Sequence, residues 1–276
     1  MINPALLSSG SLLSMTIIFF LQLATTLWPF LYFTSIQVTG VGFPRLLLQI
    51  IGASYAVVFA LLLSSLSGKF LDYSSVIFLC FPLFYTLYVY WRTKEDDDHR
   101  RSRWLRPIGG FLLFHVVLKS YMELSGVFFP LDNMVRLKEF MFLGSSMIFG
   151  VALYAMCLGH YYLVVPNLSP NYLLKVTKWL WGILILRFGI CIVWYFVFSQ
   201  NALMDTISLD IFHGIMISMG SMWGWIGTIV LAYFGQKLTK MNSIQSATGI
   251  YYIMVFFVIV GIMLSNYYFC KYKVLF

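Results

Sequence analysis

The chain has 276 residues, of which 61% are hydrophobic and only 10% charged, with a formal net charge of +8. Soluble domains are about half apolar and about a quarter charged, so this composition excludes an ordinary soluble enzyme and leaves an all-α, polytopic integral membrane protein. The positive charge does not point to nucleic acid, because most Lys and Arg lie in short loops between apolar runs, where membrane orientation requires them.

A mean hydropathy of +0.85 and this length give room for about eight transmembrane helices of ~20 residues in one bundle, read as a single transmembrane domain over 1–276. The first run, 12–36, lacks a preceding basic segment and exceeds a signal-peptide core, so it reads as a retained span. Pro29 is expected to bend it. Span two covers 46–66, with Gly52, Ala56 and Ala60 on one small-residue face. Span three, 73–91, ends in Tyr88, Tyr90 and Trp91, an interfacial aromatic group. The charged stretch 92–107 follows, acidic in its first half and basic in its second, and reads as a cytoplasmic loop.

Span four, 108–130, crosses the membrane with His115, Lys119 and Glu123 spaced four apart on one helical stripe. A short turn containing Asp132, Asn133, Arg136 and Lys138 leads to span five, 139–165. That span holds Ala155, Gly159 and His160 and stops before Pro166. Span six, 179–199, has Arg187 near its centre. Span seven, 206–234, begins with Asp210 and His213 and carries Gly220, Gly224 and Gly227 on one face. Span eight is 244–269, with Ser243 as its expected N-cap.

Eight spans put both termini on one side. Five Lys and Arg then fall on the terminal side and eleven on the other. This places loop 92–107 in the cytoplasm and both termini on the non-cytoplasmic side of the cell (inner) membrane.

Aligned by depth, the polar residues of spans four to seven form layers. His115 and His160 come level at roughly 8–10 Å from the cytoplasmic boundary. Lys119 and Arg187 share the midplane, and Glu123 comes level with His213, with Asp210 nearer the surface. Charged groups inside spans cost at least ~3 kcal/mol facing lipid, so they are expected to meet in a shared interior. Two level imidazoles suit a b-type haem, with Lys119, Glu123, Arg187 and His213 as polar support for haem propionates, a quinone or a proton path. The blander reading has each His bonding a hydroxyl or carbonyl across helices. Three functions follow: a membrane subunit of an electron- or proton-transfer assembly, a proton-coupled small-solute transporter, or a scaffold subunit that pairs with other membrane subunits. Cys80, Cys157 and Cys191 sit in apolar segments as small hydrophobes. No CxxC, Walker, G-x-S-x-G or H-E-x-x-H pattern occurs, so metal-cluster, nucleotide-driven and hydrolase roles have no motif behind them.

Overall fold

The structure, a computed structural model, describes residues 12–34, 36–65, 84–91, 133–165, 168–199 and 211–272. Among them it is all-helical, without strands. Five of the helices are long and apolar enough to cross a membrane, and a sixth, shorter apolar segment is Met15–Leu31. The all-α, polytopic membrane fold expected from composition is therefore present. Span four lies outside the described residues. The chain divides into two compact units, Met1–Phe128 and Phe129–Phe276.

In the first unit, α1 (Leu12–Phe33) and α3 (Gly42–Ser65) pack together, joined through the short α2 (Ile36–Thr39) and Gly40, whose φ is 68°. Ile17, Leu21, Ala24, Trp28 and Leu31 recur every three or four residues on α1 and are buried, as are Leu47, Ile51, Tyr55 and Val58 on α3. Pro29 lies inside α1. Its ring removes one ladder donor. The hydroxyls of Thr25 and Thr26 donate to the carbonyls of Leu21 and Gln22 at 2.5 and 2.7 Å in the same stretch. The helix gives way at Thr34, not at residue 36; there the hydroxyl closes on the Phe30 carbonyl at 2.7 Å. Residues 84–91 are helical, with Tyr88 and Trp91 exposed and Tyr90 accepting a 3.3 Å hydrogen bond from Gln49. A Cβ on Gly52 would meet the Thr86 methyl at 3.7 Å, an ordinary contact, whereas Ala56 and Ala60 are exposed, so the small-residue face of this helix is only partly used among the described residues.

The second unit contains α4 (Asn133–Val164), α5 (Asn171–Ser199), α6 (Ile211–Ser221), a π-helical turn (Met222–Gly227), α7 (Thr228–Lys240) and α8 (Ile244–Tyr272). Helix α4 is central: 78% of its apolar window is buried, against 18% to 39% in the other spans of this unit. It packs on both α5 and α8, and α7 packs on α5 and α8. Helices α5 and α7 run beyond their expected limits, for one physical reason. Lys175, Lys178, Lys237 and Lys240 lower local hydropathy and look like connection, yet all four are exposed while Leu173, Val176, Thr177, Gly235 and Thr239 face inward. The apolar stripe therefore runs on under a basic outer face, extending α5 towards its N-terminus and α7 towards its C-terminus. Helix α4 begins at Asn133, inside the segment expected to be a turn.

Helix α7 ends in a Schellman arrangement: Ser243 N–H donates to Leu238 O and Asn242 N–H to Thr239 O, with Asn242 at φ 57°. Asn tolerates this left-handed conformation better than most side chains. The Ser243 hydroxyl then bonds that of Ser246 across the first turn of α8 at 3.0 Å. Close by, the Tyr251 hydroxyl lies 3.4 Å from Thr177 and 3.2 Å from Thr239, joining α8, α5 and α7.

Packing at the other end of these helices depends on glycine. A Cβ on Gly261 would come within 2.6 Å of the Gly224 Cα, which is backbone and has no room to give. Between lipid-facing helices such close approach supplies the dispersion contacts that hydrophobic collapse supplies in water. Gly261→Val is expected to destabilise the unit by at least ~2 kcal/mol through overpacking. Tyr251→Phe should cost only ~0.5–1.5 kcal/mol, because both Thr hydroxyls also bond their own helix carbonyls at 2.7 Å. Thermal unfolding of the purified chain in detergent compares the two, and equal losses would contradict this packing account.

Candidate functional site

Arg187 is 1% exposed, in the middle of a helix whose flanking Ile185, Leu186 and Phe188 are exposed and apolar. The inward stripe of α5, Leu173, Val176, Leu180 and Leu184, sets its direction: Arg187 is the next position on that face. Its stem lies over Gly144 of α4, where a Cβ would meet the Arg187 Cδ at 2.6 Å. Any larger residue at position 144 displaces the arginine. At the head of the side chain, Nη1 donates to Cys191 Sγ at 3.3 Å, one turn further along α5.

The π-turn supplies the third wall. Regular α geometry already sends alternate residues to opposite sides, and the wider π-turn adds a local change of register. Trp223 stacks edge-on against Phe257 of α8 with ring centroids 4.5 Å apart. Trp225 turns the other way, to α5. The guanidinium carbon lies 5.3 Å from the centre of its ring, and Phe188 meets the same indole at 6.4 Å. A guanidinium over an aromatic face gains up to ~2 kcal/mol when desolvated. Gly224, between the two tryptophans, makes the backbone contact with Gly261. The Thr228 hydroxyl donates to the Gly224 carbonyl at 2.9 Å, giving that carbonyl a partner where the ladder changes register.

Beside the guanidinium is a cavity of about 30 Å³, lined by Arg187, Ser145, Ser265, Trp225, Gly224 and Gly261 among others. A space of ~10–15 Å³ by this measure holds one water, so this one admits about two, or one small ion. Its polar lining comes from α4, α5 and α8, so the chamber is shared by three helices. A fixed positive charge, hydroxyls and an aromatic wall can bind an anion or order water.

Of the residues singled out from sequence, Arg187 is in this interior. His160 is not: it is exposed, with Nδ1 3.2 Å from the Tyr252 hydroxyl and the two rings edge to face at 6.5 Å. This is the cross-helix hydroxyl bond of the blander reading. His115, Lys119, Glu123 and Asp210 lie outside the described residues, and His213 is on the first turn of α6. No group of His, Cys, Asp and Glu suited to a metal ion occurs among the described residues. Sequence reasoning missed Ser145 and Ser265, single hydroxyls within apolar spans, and assigned no site role to Trp225. The signal available was Ser265–Asn266, a polar pair within the last apolar span. No protein-family model, curated protein or solved structure matches the chain, so its function is argued from this geometry.

Proposed function

We propose that the protein is a multi-pass carrier of the cell (inner) membrane that moves a small anionic solute past Arg187. The observation that supports this most is the combination of a 1% exposed guanidinium with a polar cavity of about 30 Å³ beside it. A guanidinium keeps its charge at physiological pH, and burying one costs several kcal/mol before its partners repay it. Intramembrane charges of this kind mark solute and ion pathways. The wall opposite α5 is built from a π-turn and closely apposed glycines, a local geometry that often accompanies functional sites. The electron-transfer and scaffold readings gain less. His160 already engages Tyr252 on an exposed face, which leaves Arg187 as the better-supported centre.

Arg187→Met separates this reading from a structural one. Methionine keeps the stem over Gly144 and removes the charge. For a functional arginine, activity is lost while stability changes by less than ~1 kcal/mol or rises, the usual trade-off at a working site. For a structural arginine, breaking the buried interactions costs ~3–5 kcal/mol. The measurement is anion flux into liposomes carrying the purified chain, with thermal unfolding of the same preparation. The expected result is at least a tenfold fall in flux without loss of fold. Undiminished flux would end the proposal.

The orientation in this reading has both termini outside and the α7–α8 turn in the cytoplasm. The lysines at that end of the second unit support it: Lys175, Lys178, Lys237 and Lys240 are exposed, with Lys175 5.6 Å from the Trp179 ring, a basic and aromatic belt suited to an anionic leaflet. A cysteine placed at Met241 in a chain stripped of its native cysteines should resist a membrane-impermeant thiol reagent in intact cells and react after permeabilisation. Labelling in intact cells would reverse the topology.

A further inference from the structure

We infer that the seam between α5 and α7, at its lysine end, holds an anionic phospholipid. Lys178 and Lys240 take the headgroup, and the apolar rows beyond them take an acyl chain. The inference concerns the outer surface of the second unit and depends neither on Arg187 nor on the carrier reading. Three observations support it.

The first is register. Trp181 Nε1 donates to Gln236 Oε1 at 3.2 Å across these two packed helices. About one turn nearer the α7–α8 connection, Thr177 and Thr239 share the Tyr251 hydroxyl. The two helices therefore run antiparallel, with 181 level with 236 and 177 level with 239. Lys178 stands three residues before Trp181, and Lys240 four after Gln236, so each falls on the helical row that reaches the bridge. Both are exposed. Two ammonium groups from different helices thus border one seam.

The second is charge. Among the described residues of the second unit, Glu139 is the only Asp or Glu. It lies near the start of α4, whereas the lysine end adjoins the far end of that helix, where the Tyr162 hydroxyl donates to the Ser169 carbonyl. That is roughly 37 Å away along the helix. The described carboxylate of the unit therefore does not answer these lysines, and a phosphate can. Lys175, 5.6 Å from the Trp179 ring, and Lys237 add to the same positive field.

The third is the change of polarity along the seam. Away from the lysines, Ile185 lies four residues beyond Trp181 and Tyr233 three before Gln236; they are 67% and 53% exposed. Gly182, between Lys178 and Ile185, has nothing within 4 Å of where a Cβ would stand, which leaves a shallow notch in the row. The surface thus passes from cations, through an indole–amide pair, to apolar side chains. A phospholipid has the same profile, with tryptophan at the level of the headgroup boundary. A soluble phosphate or an acidic peptide would use the lysines and leave the apolar rows idle.

The test is thermal stability of the full chain in an uncharged detergent, with phosphatidylglycerol or phosphatidylcholine added at equal concentration. A ligand that binds the folded state raises Tm with its occupancy, and phosphatidylglycerol should raise it by at least ~2 °C more than phosphatidylcholine. Lys178→Gln combined with Lys240→Gln should abolish that difference, and Lys178→Arg with Lys240→Arg should keep it. Arg136→Gln with Lys138→Gln removes as much charge from the other end of the unit and should leave the difference intact. No phosphatidylglycerol effect in the wild type, or an undiminished one in the double glutamine variant, overturns the inference. So does an equal loss in the Arg136 and Lys138 control, which would reduce the effect to net charge. Inorganic phosphate stabilising as strongly as the lipid would assign the lysines to a soluble anion instead. A lipid effect that appears only after Glu95, Asp96, Asp97 and Asp98 are neutralised would assign them to that acidic stretch. Either result ends the lipid reading.

Discussion

A guanidinium held away from water between apolar helices is the constraint to which the second unit answers. In a low-dielectric interior the charge is costly wherever polar groups and close packing do not compensate it. The stem of Arg187 has to lie flat, which Gly144 allows by having no Cβ in its way. The head needs donors' partners and an electron-rich surface, which Cys191 and Trp225 provide. Each of these groups comes from a different turn or helix, so the arginine ties α4, α5 and the π-turn into one arrangement.

The same economy governs the rest of the unit. Membrane helices gain little from burying apolar surface against one another, because lipid is equally apolar, so they associate through close contacts and shared hydrogen bonds. Gly224 against Gly261 is the first kind, and the Thr177–Tyr251–Thr239 hydroxyl cluster is the second. One lies beside the cavity and the other near the basic, aromatic end. The α8 residues that line the cavity, Val258, Gly261, Ile262 and Ser265, straddle the glycine contact. The close glycine contact thus borders the small polar space beside Arg187.

Much of this was legible in the sequence, and the misses have physical causes. Composition and run length gave the all-α membrane class, and the position of Arg187 in the middle of an apolar run marked it as interior, because facing lipid would be too costly. Which way its neighbours point was not legible. Helix α5 is apolar on both faces, one towards helices and one outward, so its periodicity is weak and Leu184 looks like Ile185. Hydropathy alone ends these helices short at the lysines, since it averages over a turn and does not see that Lys175 and Lys178 share the outer face. Depth sets His160 level with His115, which lies outside the described residues, but it says nothing about azimuth, and His160 is exposed beside Tyr252. The π-turn had no sequence signature beyond its glycines; it carries Trp225, which meets the arginine, and Trp223, which packs on Phe257.

The central claim is that the space beside Arg187 holds an anion. Anomalous scattering from crystals of the full chain grown or soaked in bromide tests it directly. The account predicts a bromide peak within hydrogen-bonding reach of the Arg187 guanidinium, between Ser145 and Ser265. A cavity filled instead by a carboxylate of the protein's own, with bromide only at the surface, would contradict it.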